Sequence, residues 1–230
     1  MAQEYGDEYV GGWYEDDSYS PTNHSTGIGL QILYGGGINL RRDFPGESAI
    51  DPNEALYEST WVWNNFLDVA LVAYMPLGDK RPMGVLAEVG LKNLAFGSNK
   101  AIEIHVNYID LGGSFYWKGF FLGATYGITL GGARVDPNGI EDELAADVFN
   151  SMIDLKAGYQ VQLGKKKVTS GGRFNLVGQI SYALYGMNKE NKVWTDPNNQ
   201  YRHRKYNYQP LEVKIGFNYF FDYKKDMNTF

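Results

Sequence analysis

The chain has 230 residues, a formal net charge of −6 and no cysteine. The acidic balance gives no basis for nucleic-acid binding, and the missing cysteines exclude disulfides and thiolate metal sites but not an extracytoplasmic address. No apolar run approaches the ~20 residues of a membrane-spanning helix, whereas 28 Gly, 18 Tyr and 12 Phe against 8 Pro suit many strands, tight turns and aromatic surfaces.

Residues 1–24 are rich in acids, glycine and aromatics and read as a flexible tail in which Trp13 and the tyrosines offer contacts to a partner. "GGWYE" at 11–15 echoes the early Gly-x-Trp of lipocalins, but Asp16 and Asp17 follow and no alternation continues. From residue 25 to 221 the pattern changes to apolar residues at every second position, the period of a β-strand with one apolar face. The first predicted strand, about 26–40, carries Ile28, Leu30, Ile32, Tyr34, Ile38 and Leu40 on that face. The second, about 58–75, carries Trp61, Trp63, Leu67, Val69, Leu71 and Ala73. The third, about 83–97, has Val85, Ala87, Val89 and Leu91, and the fourth, about 101–117, has Ile109, Leu111, Phe115 and Trp117. "GFFLGATYGITL" is the fifth, with Phe120, Leu122, Ala124, Tyr126, Ile128 and Leu130. The sixth, about 148–163, has Phe149, Ile153, Leu155, Ala157, Tyr159, Val161 and Leu163. The seventh, about 172–186, has Phe174, Leu176, Ile180, Tyr182 and Leu184. "LEVKIGFNYFF" (211–221) is the eighth, and 222–230 is a short tail.

Short connections follow strands two, four and six ("PLGDKRP", "WKG", "GKKKVTSGG"). Roughly 17–24 residues follow one, five and seven, the asymmetry of an outer-membrane barrel with short periplasmic turns and long external loops. The sequence therefore predicts an all-β, eight-stranded, antiparallel up-and-down transmembrane barrel in a bacterial outer membrane, long loops extracellular and both termini periplasmic. The start "AQEYGDEY" behind Met1 is what remains expected once a leader has been removed.

Three features predict that the apolar face points outward to lipid. The opposite face carries Asp68, Glu88, Lys92, Asp110, Asp154, Lys156, Arg173, Glu212 and Lys214, five acids against four bases, in a near balance that matters only where charge is buried. Glycines crowd that same face, making room for long side chains in a narrow lumen. Trp61 and Trp63 at one end, and Trp117, Tyr219 and Phe221 at the other, form two aromatic girdles.

An alternating last strand ending in an aromatic resembles the assembly signal of outer-membrane barrels, here at Phe221 with an additional tail that ends in Phe230. "NYIDLGGSFYWKGFFLGATYGITL" (107–130) resembles the central hairpin of small porin-family barrels frequent in Bacteroidota: Tyr108, Asp110 and Leu111 match, and Gly112 stands where that pattern has proline. The resemblance to OmpX-like and related eight-stranded barrels implies the architecture and transfers no functional residue.

His24, His105 and His203 have no metal-ligand neighbour at i+2 or i+4, and an omptin-like protease would need ten strands, so no enzyme, cofactor or metal site is expected. Asp-Pro-Asn occurs at 51–53, 136–138 and 196–198, once in each long loop, as a turn-maker; calcium held with Glu141, Asp142 and Glu143 is the sharper alternative. Lys189, Lys192, Arg202, Arg204 and Lys205 form a basic rim suited to lipopolysaccharide phosphates or to another envelope or surface protein. Lys165, Lys166 and Lys167 read as a solvated turn.

One reversal stands out. Between Leu91 and Ile109 the outward positions are Asn93, Glu103, His105 and Asn107, and the inward ones, Leu94, Phe96, Ile102, Ile104 and Val106, are apolar. This predicts a hairpin standing in water above the membrane, capping the barrel mouth, with Val62 and Phe66 as the opposite wall. A register bulge near Tyr108, which would return the polar residues to the lumen, is the alternative. Two functions fit: a filled structural or interaction barrel, and a narrow or gated pore.

Overall fold

In the computed structural model, residues 26–40, 60–77, 83–98, 102–136, 138–163, 172–184 and 209–223 are described. The tail at 1–24, the basic rim, Lys165–Lys167, His24, His203 and the first and third Asp-Pro-Asn copies lie outside them. The described residues form ten strands: β1 (Thr26–Asn39), β2 (Val62–Trp63), β3 (Asp68–Pro76), β4 (Met83–Ser98), β5 (Ile102–Trp117), β6 (Phe120–Val135), β7 (Glu141–Leu144), β8 (Met152–Leu163), β9 (Gly172–Ala183) and β10 (Pro210–Tyr223). Neighbours run β10–β9–β8–β6–β5–β4–β3–β1, all antiparallel, and β1 pairs back onto β10 from Thr26↔Tyr223 to Asn39↔Pro210. Eight strands thus close a barrel; β2 and β7 only extend its upper rim, on β1 and β6 respectively.

The alternation sets which side of the wall each residue occupies. On β1, Ile28, Leu30, Ile32 and Tyr34 are exposed, while Gly27, Gly29, Leu33 and Gly35 are buried. The apolar exterior and polar interior are inverted relative to a water-soluble barrel and match the transmembrane kind. The closing seam is tight: a Cβ added at Gly35 would lie 2.0 Å from the Val213 carbonyl oxygen, and one at Gly216 2.0 Å from that of Ile32.

Three elements depart from the expected strands. The second is broken: β2 and β3 are separated by residues 64–67. There side chains replace the ladder: Asp68 accepts the Asn93 N–H (2.8 Å) and Asn64 donates to the Asn93 carbonyl (2.8 Å). Asn and Asp compete with backbone pairing in this way. The sixth starts at Met152, and Phe149, expected outward, is buried at 2% exposure because the short 3-10 turn at Ala146–Val148 redirects the chain over the mouth. The fifth runs on to Val135 through a bulge: Asn107 pairs with Gly131 and Tyr108 with Thr129, which leaves Leu130 unmatched. Gly131 takes φ +128°, a conformation glycine tolerates.

Candidate functional site

Building from the strands, the inward charges meet in the lumen, and all of their links but Lys214–Glu212, which lies within one strand, join walls that are not neighbours. Glu212 and Lys214 share the inner face of β10, as Asp154 and Lys156 share that of β8, because they are two residues apart. Lys214 Nζ lies 2.6 Å from Asp68 Oδ2 on β3 and 2.9 Å from Glu212 Oε1. Lys92 Nζ, from β4, lies 2.9 Å from Glu212 Oε2 and also pairs with Asp154 on β8. The result is one chain of alternating sign, Asp68–Lys214–Glu212–Lys92–Asp154. Ser181 Oγ donates to Glu212 (3.1 Å), and Lys214 Nζ also donates to the Asn93 carbonyl (2.7 Å). A second bridge, Lys156 to Glu88, crosses from β8 to β4, and buried Asp110 lies in the electrostatic range of Lys92 and Lys156. Glycine provides the room: a Cβ at Gly112 would crowd Glu88 Oε1 at 2.9 Å.

The ninth charge, Arg173, sits apart from this layer. Its guanidinium carbon is 5.4 Å from the ring centres of both Tyr74 and Phe220, within the reach of cation–π attraction. Those rings belong to a lower apolar layer with Leu33, Val72, Tyr116, Phe121 and Val177. Between it and the ion pairs runs a neutral relay, Asn175 to Asn218 (2.6 Å) to Gln160 (2.8 Å). The aromatic plug went unread in the sequence, although "YW" (116–117), "FF" (120–121) and "FF" (220–221) carry its mark. Of two adjacent aromatics on a strand, one faces lipid and the other must face the lumen.

Above the ion pairs, Leu94, Phe96, Ile104, Val106 and Tyr108 pack with Phe149, Met152 and Ala183. The inner phase of β5 is unbroken from Ile104 to Asp110, because the bulge near Tyr108 puts its extra residue on β6. Two outward residues differ from the expected exposure. Asn93 and His105 are only 2% and 4% exposed. The 64–65 crossing covers Asn93, with the Asn65 N–H donating to Asn93 Oδ1 (3.0 Å) and Asn93 donating to Asn107 (2.8 Å). His105 Nε2 lies 3.6 Å from Glu103. Phe66, expected to line the cap, is 64% exposed because the break in the second strand turns it outward; Val62 is buried.

At the rims, Trp63, Trp117, Tyr219 and Phe221 are exposed, while Trp61 is half-buried against Gly36. Trp63 stacks on Tyr34 (5.9 Å), and Tyr219 meets Phe221 edge-on (4.8 Å). The described Asp-Pro-Asn copy is a closed turn: Asp136 Oδ1 accepts the N–H groups of Asn138 and Ile140, each at 2.8 Å, which hold its carboxyl below the usual range. Asp142 pairs with Arg134 (2.5 Å) on the neighbouring strand. Among the described residues no three acids or histidines converge on a common point where a metal ion would sit.

These features define a class: an inside-out, eight-stranded transmembrane β-barrel whose lumen is occupied by its own side chains. No family model and no curated protein matches the chain. Among solved structures it is similar to neisserial surface protein A, with 11% identity over 84% of this chain and 95% of that one at a TM-score of 0.35. It is also similar to the outer membrane protease OmpT of Escherichia coli, with 10% identity over 88% and 98% at a TM-score of 0.26. The barrel assignment rests on the strand pairing itself.

Proposed function

We propose that this chain is an outer-membrane barrel of the OmpX-like, non-enzymatic kind, with no cofactor, that acts as a structural or interaction protein and presents its upper hairpin and loops at the cell surface. One observation carries the reading: the lumen is stacked in three layers, apolar cap, ion pairs and aromatic plug. Small barrels filled in this way hold no wide aqueous channel, which takes about 16–18 strands. Residues 83–91 and 109–117 are each about nine long, the span of a transmembrane strand, so residues 92–108 stand above the bilayer. The long loops then face outward and the termini inward. The basic rim at Lys189, Lys192, Arg202, Arg204 and Lys205 offers itself to lipopolysaccharide or to an envelope or surface protein.

Among the described residues, β7 has a free edge above the membrane, and it carries exposed Glu141, Asp142 and Glu143. Charges blunt an edge against strand addition, so a partner would meet loops and the hairpin tip instead. The test is twofold. Unheated protein in mild detergent should migrate faster or slower than boiled protein, and in planar bilayers it should give no steady conductance. Recovery as a detergent-free soluble monomer ends the membrane reading; a large steady current replaces the filled barrel with a pore.

A further inference from the structure

The lipid-facing wall is not smooth. A groove of about 760 Å³ crosses its outer surface over β5, β6, β8, β9 and β10. Its line follows one register row, Trp117↔Phe120↔Tyr159↔Gly178↔Ile215. Gly178 and, in the next row, Ala157 leave the floor bare: a Cβ at Gly178 would meet nothing within 4 Å. In that next row, exposed Phe115, Leu122, Ile180 and Val213 stand on either side of Ala157 and form one rim.

The groove has a direction. Trp117 ends β5 and Phe120 begins β6, so its foot lies at the short-turn rim. Tyr159 lies four residues from the lower end of β8, Gly178 six from that of β9 and Ile215 eight from that of β10. Five neighbouring strands at ~4.8 Å span about 19 Å. With strands tilted by roughly 35–45°, the row climbs about half of the ~30 Å hydrocarbon core, the height of one leaflet.

At the foot stands an unusual residue. The two-residue turn Lys118–Gly119 has φ +48° and +94°. Asn or Gly suits its first position, yet an exposed lysine occupies it, the one non-glycine at positive φ among the described residues. A strained residue of this kind points to a role outside the turn. Lys118 sits in the turn that joins Trp117 to Phe120, both of which line the groove, within a lysine side chain's reach of the groove's foot.

We infer that the groove is a phospholipid site: one acyl chain lies along Trp117–Ile215 over Gly178, and Lys118 holds the phosphate. The inference rests on the membrane reading above, but its test is separate from that one. Protein folded into vesicles of phosphatidylethanolamine and phosphatidylglycerol (3:1) would be extracted in mild detergent and weighed intact by native mass spectrometry. The wild type should retain a phospholipid. Gly178→Phe should fill the groove and lower retention on the order of tenfold, equivalent to ~1.4 kcal/mol, with heat-dependent gel mobility unchanged. Lys118→Asn should relax the turn and raise thermal stability, yet also lower phospholipid retention. Equal retention by wild type and both variants overturns the site, as does equal retention of phospholipid and uncharged diacylglycerol when the same vesicles are doped with diacylglycerol. A wild-type dimer that Gly178→Phe breaks would assign the groove to a second copy instead. If the protein needs no detergent, the membrane reading has failed, whatever the groove holds.

Discussion

The lower barrel and the hairpin above it use the same strands in the same phase, yet their faces carry opposite chemistry. Along residues 83–91 of β4, Val85, Val89 and Leu91 face out and Glu88 faces in. A few residues higher, Leu94 and Phe96 face in and Asn93 faces out. The backbone does not change between them; what surrounds it does. Below, lipid takes the outer apolar face, and ion pairs above an aromatic layer fill the lumen. Above, in the reading proposed here, water surrounds the wall, so the apolar residues turn to the centre. A strand alternation therefore fixes two faces, and only the medium decides which is outside.

The charged lower lumen should be the more costly to disturb. Lys214→Met leaves Asp68 and Glu212 buried without their shared cation, and should destabilise the barrel by about 3–5 kcal/mol, read as a lower midpoint in denaturant-dependent loss of heat-modifiable mobility. Adding Glu212→Gln should return part of the loss, since the two act within one network. Strictly additive losses would show that the network is not coupled.

The upper cap should break locally. Phe96, fully buried in the apolar cluster, should cost about 3–5 kcal/mol as Ala, but that cost should fall on the hairpin. Limited proteolysis should then cut within residues 92–108 while the barrel keeps its folded mobility. If barrel and hairpin fail together, they form one cooperative unit and the contrast between them is only chemical.

Much of this was legible in the sequence because alternation is a local signal. Strands β1, β4, β5 and β10 run within about two residues of the stretches read from period two alone, and the reversal at Leu91 was visible there too. What escaped depends on contacts remote in sequence. Nothing near Asn64 says that its amide will meet the Asn93 carbonyl and break a strand in two. Phe149 keeps the phase of its lipid-facing neighbours until a turn at 146–148 swings it inward. His105 reads as solvent-exposed by position and is buried all the same. Most partners of the inward charges were also hidden: Glu212 and Lys214 stand two residues apart on one strand, but Lys92 finds Asp154 and Glu212 across the lumen rather than beside it.

The seam between the two regions should be of intermediate importance. Asn64→Ala removes one of the two donors to the Asn93 carbonyl and should cost roughly 0.5–1.5 kcal/mol, the net contribution of one hydrogen bond. Amide hydrogen exchange at residues 91–97 should speed up while that of β9 and β10 stays put. Unchanged exchange would mean that the Lys214 contact to the same carbonyl suffices.

The smallest expected effect is a pH dependence confined to the hairpin. Burial lowers the affinity of His105 for a proton below that of an ordinary histidine, against the opposing pull of Glu103 first and Glu141 second. The unfolded hairpin therefore binds the proton more tightly than the folded one. Stability from this group is complete above the ordinary histidine value of about 6.5 and is lost as pH falls toward and through the lower folded value. The barrel's ion pairs also titrate, so the readout must be local: proteolysis within residues 92–108 should accelerate between about pH 7.5 and 5. His105→Gln removes the titration but keeps a polar side chain of similar reach, and should flatten that dependence without altering the rate at pH 7.5. A steep dependence that survives in His105→Gln would assign the sensitivity to carboxylates of the lumen and leave the cap indifferent to histidine protonation.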